Sequence, residues 1–180
     1  MDRALTPPLF ARALGSGFEA LAPAVRALHS VAGGAQYRGR ADIRRGRHWL
    51  VPLLAWGAHL PPTQADVPAS VHFLVDAGGE RWSRRFGHHP MQSRLWVRQG
   101  RLRERLGAVQ FEFDLQVEQG SIRWRVRRVW LAGVLALPAR WFDGVRCREY
   151  EQDGRYAFDV AVTLPWIGPF IRYEGWLEPS

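Results

Sequence analysis

Val109–Glu118 reads VQFEFDLQVE, and after Gln119-Gly120 the chain continues as SIRWRVRR over Ser121–Arg128. In the first stretch Val109, Phe111, Phe113, Leu115 and Val117 alternate with Gln110, Glu112, Asp114, Gln116 and Glu118. Successive side chains of a strand point to opposite faces, so one face is wholly apolar and the other wholly polar. A two-residue turn containing Gly joins two such runs into a hairpin and fixes their register. Leu115 is then expected opposite Trp124, Phe113 opposite Val126, Gln116 opposite Arg123, Asp114 opposite Arg125 and Glu112 opposite Arg127. Opposite charges directly across a sheet contribute roughly 0.2–1 kcal/mol each. The arginine run is therefore matched largely by its own hairpin partner.

The same texture extends outward from this hairpin. Gly78-Gly79, Gln99-Gly100 and Asp153-Gly154 each separate two alternating runs, and further strands read near 36–43 and 169–177. About ten antiparallel strands with regular turns predict a closed or nearly closed barrel, because closure removes sheet edges. The expected architecture is mainly β and similar to lipocalins and fatty-acid-binding proteins. Apolar residues at helical spacing (Leu9, Phe10, Ala13 and Leu14, then Leu21, Val25 and Leu28) place a helical segment over 1–34, closed by Gly33-Gly34. The barrel then spans 36–178 of a single 1–180 domain, with one short apolar helix near Trp49–His59 after the first strand.

Of the 180 residues, 25 are Arg, none is Lys or Asn, and 17 are Asp or Glu, for a formal net charge of +8. A GC-rich genome accounts for the missing Lys and Asn codons. Arg38, Arg40, Arg44, Arg45 and Arg47 crowd around a single acid, Asp42, and Arg94, Arg98, Arg101, Arg103 and Arg105 face one another across the Gln99-Gly100 turn. That excess leaves room for an anionic partner, but no helix-turn-helix, zinc-finger or RNA-binding signature supports nucleic acid. The opening residues, with Asp2, Thr6 and Pro7-Pro8, lack the pattern of a secretory leader. The apolar stretch Trp49–Leu60 is too short for a transmembrane helix. A lone Cys147 fits a reducing cytoplasm and reads as a small apolar filler rather than a nucleophile. The six His show no metal-ligand spacing, and no cofactor-binding motif is present. Trp49 and Trp56 on the short helix are suited to a membrane surface, while most of the nine Trp read as core.

The candidate site consists of polar residues that alternation places on the apolar face. The Gly78-Gly79 turn sets Trp82, Arg84 and Phe86 on the face of Val71, Phe73 and Val75, with Arg84 opposite Phe73, Asp76 opposite Arg81 and Glu80 ending the row. The next hairpin sets Leu95 opposite Glu104, in a row with Ser93, Val97, Leu102 and Leu106. Arg128 follows Ile122, Trp124 and Val126 inward, and Glu149 falls opposite Phe158. A buried charge costs several kcal/mol unless paired. Glu104 is thus expected to pair across the barrel with Arg84, Arg128 or both. Such a row either plugs the barrel or lines a cavity for one ligand.

Together LFARALG, LAPAVRALH, ERWSRRFG, MQSRL, RERLG, FDVAVTLPWIG and IRYEGWL, in this order, resemble the bacterial domain-of-unknown-function family numbered 4166. Its more specific segments are Glu80-Trp82-Arg84-Phe86 and Tyr173-Gly175-Trp176-Leu177, and Arg84, Ser93 and Glu104 fall within its motifs. In that family the domain also occurs attached to Rossmann-type, saccharopine-dehydrogenase-like modules. The resemblance therefore implies an accessory or substrate-handling role beside a Rossmann-type oxidoreductase. It implies no activity.

Three functions follow as expectations. The first is binding of a small apolar or amphipathic molecule whose anionic or carbonyl group meets Arg84 and Arg128, with Trp82, Ser93, Glu104 and Trp124 around it. The second is a barrel enzyme, isomerase- or cyclase-like, with Glu104 as general acid or base. The third is a structural or interaction domain with a solid core.

Overall fold

A computed structural model describes residues 7–180. The leader reading at Met1–Thr6 lies outside the described residues. Three helical pieces come first: α1 (Leu9–Leu14), a 3-10 turn (Gly15–Ala20) and α2 (Pro23–Leu28). Then come β1 (Gly34–Arg45), α3 (Val51–Gly57), β2 (Gln64–Asp76), β3 (Gly79–Phe86), β4 (His89–Arg98), β5 (Arg101–Leu106) and β6 (Val109–Glu118). The chain finishes with β7 (Ser121–Leu131), β8 (Leu135–Leu137), a 3-10 turn (Ala139–Phe142), β9 (Gly144–Gln152), β10 (Arg155–Leu164) and β11 (Gly168–Pro179). Neighbours run β6-β5-β4-β3-β2-β1-β11-β10-β9-β7, and β6 pairs with β7 to close an antiparallel ten-stranded barrel. The expected mainly-β barrel is the observed one, with β8 as an extra strand outside, hydrogen-bonded only to β7.

Register follows the turns at three of the four hairpins. Leu95 faces Glu104, Leu115 faces Trp124 and Glu149 faces Phe158, each as the turn chemistry requires. At these turns Gln99, Gln119 and Asp153 take positive φ beside a positive-φ Gly, the backbone of a tight primed hairpin turn.

The β2–β3 hairpin departs from expectation by two residues. Gly79 belongs to β3, not to the turn: Asp76 faces Gly79, Phe73 faces Trp82 and Arg84 faces Val71. Gly79 has φ of 133°, and a Cβ there would collide with the Leu95 carbonyl on β4. This glycine serves a close approach of strands, which looks like a turn signal in sequence. A shift of two keeps every side chain on its face, so Arg84 still points inward.

The second departure changes a site residue. Beyond Phe113, which faces Val126, the pairing slips and Glu112 faces Arg128. Arg127 is the extra residue of a β-bulge. Both Arg127 and Arg128 therefore turn outward, while Val129, 1% exposed, takes the inward place. Arg128 has a 61% exposed side chain and is no part of the interior. Burying Val129 and hydrating two guanidiniums decides that slip.

Three further arginines find partners not expected from single hairpins. Arg94 bridges Asp76 at 2.6 Å, Arg101 bridges Asp114 at 3.1 Å, and Arg103 bridges the buried Glu112 at 2.6 Å. The acids come from strands on either side of the β4–β5 hairpin, so Arg94, Arg101 and Arg103 are matched, while Arg98 and Arg105 have no carboxylate partner among the described residues. Among the described residues no helix is long and apolar enough to cross a membrane.

Candidate functional site: a barrel cavity with a polar floor

The two ends of the barrel differ. The end formed by the turns at 77–78, 99–100, 119–120 and 153–154 is stoppered by the N-terminal helices. The Ala22 N–H donates to the Gly120 carbonyl at 2.9 Å and the Ala24 N–H donates to Glu151 at 2.7 Å, tying that segment to two hairpin ends. Apolar positions then pack inward: Leu9, Phe10, Phe18, Leu21, Val25 and Leu28 are all buried. Phe10 lies 5.9 Å from the Trp82 ring and 5.6 Å from the Trp124 ring. These three rings and His29 make the floor.

Above this floor is a cavity of about 490 Å³, so the core is not solid. The volume is that of a drug-sized ligand site. Its walls are mostly apolar, from Leu106, Phe111, Phe113, Phe158, Val160 and Phe170 among others. The polar groups gather in the inner half. Arg84 donates to Ser93 Oγ at 2.9 Å and to Glu104 Oε1 at 3.3 Å, and its guanidinium lies over the Trp82 ring at 4.6 Å. The Arg84 and Glu104 side chains are only 13% and 12% exposed. This is the pair expected across the barrel, without Arg128.

A second polar cluster touches the floor. His29 Nε2 donates to Glu149 Oε2 at 2.6 Å, with both side chains buried. Glu80 accepts from the Trp82 indole N–H at 2.8 Å, and burial raises its carboxyl above the ordinary range. Burial, with Glu149 alongside, also pushes the Tyr156 hydroxyl well up. Cys147 rises well above the ordinary thiol range through burial, and the Glu149 and Glu104 charges add to this. A thiol held protonated in this way is a filler, as its sequence context indicates.

Trp82, Arg84, Glu104 and Trp124 thus border the cavity, Ser93 supports Arg84 from behind, and Arg128 lies outside. The Trp124 indole N–H has no partner among the described residues. His29 was not legible as a site residue from metal spacings. The signal was its place four residues after Val25, on the buried stripe of the N-terminal helical segment. Among the described residues no cluster of His, Cys, Asp and Glu could hold a metal ion.

The walls converge on an open end. The mouth is framed by Leu50 and Leu54 from the α3 region, Leu131 and Leu137 from β7 and β8, Trp141 and Phe142 from the second 3-10 turn, and Trp166 from the β10–β11 turn. β7 pairs with β9 only over Ile122–Trp124, and its mouth-end half pairs with β8 instead. The barrel wall is therefore completed there by the 3-10 turn rather than by a continuous ladder.

Comparison with known proteins gives a family and leaves the chemistry open. No curated protein matches the chain. Among solved structures, the crystal structure of Rv2717c from M. tuberculosis is similar at 12% identity and a TM-score of 0.44, over 89% of this chain and 99% of that one. The profile described as a domain of unknown function, DUF4166, matches residues 21–177. The motif segments and this match, which takes in β1 to β10 and most of β11, show that the chain belongs to the DUF4166 family.

Proposed function

We propose that the protein binds one small, mostly apolar molecule inside the barrel, with its polar group at the inner end beside Arg84 and Glu104. The observation that carries this reading is the cavity itself, mostly apolar in its walls, with the Arg84–Glu104 pair against the Trp82 ring and the Glu149 carboxylate on His29 of the floor. Arg84 is already balanced by Glu104, so a carbonyl or hydroxyl group needs no further charge to sit there. A carboxylate binds at the guanidinium edge that Glu104 leaves free, or with Glu104 protonated. The unpartnered Trp124 N–H is a further donor for such a group.

Native mass spectrometry with solvent extraction of the purified protein tests the reading. A stoichiometric copurifying small molecule is expected, and Val160→Trp, which fills the cavity from its wall, is expected to abolish its retention. A protein that is empty and takes up no apolar fluorescent probe sinks the proposal.

One observation favours a second reading, acid–base catalysis. Two carboxylates, Glu104 and Glu149, border the same cavity, each held by a basic partner. In that reading Glu104 exchanges a proton with a bound carbonyl compound. Glu104→Gln then keeps ligand retention and loses turnover of the extracted compound. Retained turnover removes the role.

A further inference from the structure

Among the described residues, large apolar side chains are exposed at nine places: Trp49, Leu53, Leu54, Trp56, Leu74, Leu131, Val134, Leu135 and Trp166. All but Leu74 lie around the mouth. The short α3 region divides its residues between two faces. Val51 and Ala55 are buried, and Leu50 and Leu54 border the cavity. Trp49, Leu53 and Trp56 point away from the protein, 77%, 62% and 75% exposed. The β7–β8 turn adds Val134 at 83%, and the β10–β11 turn adds Trp166 at 83%, which meets Trp141 edge to face at 5.9 Å. Exposed apolar residues scattered singly are ordinary, but a contiguous ring of them marks an interaction surface.

The ring is bordered by positive charge. Arg44, Arg85, Arg105 and Arg146 stand within two residues of mouth-end strand termini, and Arg47 and Arg140 lie in the adjoining loops. All six are exposed. Among the described residues none of the six is ion-paired, whereas Arg94, Arg101, Arg103, Arg123 and Arg155, nearer the barrel waist and the closed end, have carboxylate partners, and Arg38, Arg81, Arg98, Arg125 and Arg148 there have none. Asp143 is the one acid in the same loops that is not bonded to an arginine. Indole rings with arginines behind them are suited to the boundary between lipid headgroups and acyl chains.

We propose that the mouth of the barrel docks on an anionic lipid bilayer, with Trp49, Trp56 and Trp166 entering the interface and the six arginines lying over the headgroups. The unbalanced charge favours a bilayer over a second copy of the chain, since two copies meeting mouth to mouth would oppose like charges. Docking places the cavity opening against the acyl region, so an apolar ligand passes between membrane and barrel without crossing water.

Flotation with two kinds of vesicle tests the proposal: phosphatidylcholine alone, and phosphatidylcholine with about a third phosphatidylglycerol. The protein is expected to float with the anionic vesicles at least tenfold more tightly, with a blue shift of tryptophan emission. Each arginine near the surface is worth roughly fivefold, so Arg47→Glu/Arg140→Glu is expected to cut binding by more than tenfold. Trp56→Ser/Trp166→Ser is expected to remove the blue shift and weaken flotation. Equal binding to both vesicles, no binding to either, or binding unchanged by both double variants overturns the proposal. So does a stable dimer in light scattering that Trp56→Ser dissolves, which would assign the ring to self-association. Native mass spectrometry without vesicles reads the cavity separately. Lost docking with a retained ligand refutes docking alone, and intact docking with an empty cavity refutes the ligand reading alone.

Discussion

The two ends of this barrel carry helices of nearly the same length and opposite character. At the N-terminal end α1 and α2, six residues each, turn their apolar residues inward and are tied by hydrogen bonds to the β6–β7 turn and to β9. At the mouth α3, seven residues long, buries Val51 and Ala55 and leaves Leu53 and Trp56 in solvent. One end is a stopper and the other a rim. Hydrophobic content alone does not distinguish them, because both segments are rich in Leu and Ala. What differs is whether the apolar faces meet the barrel.

The largest expected effect lies at the stopper. Phe10→Ala removes a fully buried ring from the floor and is expected to cost about 3–5 kcal/mol, read as a lower midpoint in urea. A loss below about 1 kcal/mol would mean that the helices merely rest on the barrel. Next comes the ion pair between the two ends. Arg84→Met leaves the Glu104 carboxylate buried without its partner and is expected to cost about 3 kcal/mol, much of it recovered by Arg84→Met/Glu104→Leu. A double variant no better than the single one would show that Ser93 and Trp82, not Glu104, hold the arginine.

A smaller effect, visible in its pH dependence, belongs to Glu80. Its carboxyl is raised by burial, so the folded state holds the proton more tightly than the unfolded chain. Stability contributed by the protonated form is present below the ordinary carboxyl range near 4.5 and is lost as pH rises toward the raised native value. Glu80→Gln still accepts from the Trp82 N–H and does not ionise. Its thermal midpoint relative to the parent is therefore expected to improve between acid and neutral pH, and a pH-independent difference would contradict this. The smallest effect is at the rim: Trp166→Ser is expected to change stability by less than about 0.5 kcal/mol. A large loss there would erase the contrast between stopper and rim.

Most of the barrel was legible because period-two alternation and Gly turns act locally. The Gln99-Gly100 hairpin delivered Leu95 opposite Glu104, and through it the Arg84–Glu104 pair. What was not legible depended on a third strand or a distant segment. Gly79 reads as a turn residue, but its constraint is the β4 backbone. Arg128 reads as inward because alternation carries no mark for a bulge. His29 and Glu149 are 120 residues apart, and only the fold brings them together. At the mouth, Trp49 and Trp56 read as suited to a membrane surface, but Trp166 fell among the tryptophans read as core, because alternation and spacing look the same whether or not a partner covers the face.

The bulge at Arg127 also bears on how such a chain can change. A single residue separates the present strand from a regular one: without Arg127, Arg128 would still face Glu112 and Val129 would keep its inward place opposite Phe111. Loss of that one codon would remove an outward charge and leave what faces inward along the outer third of β7 unchanged. Relatives one residue shorter there would carry one outward guanidinium fewer on an otherwise unaltered barrel. For this fold, a bulge thus lets a strand gain or lose one outward residue while the residues that line the cavity keep their places.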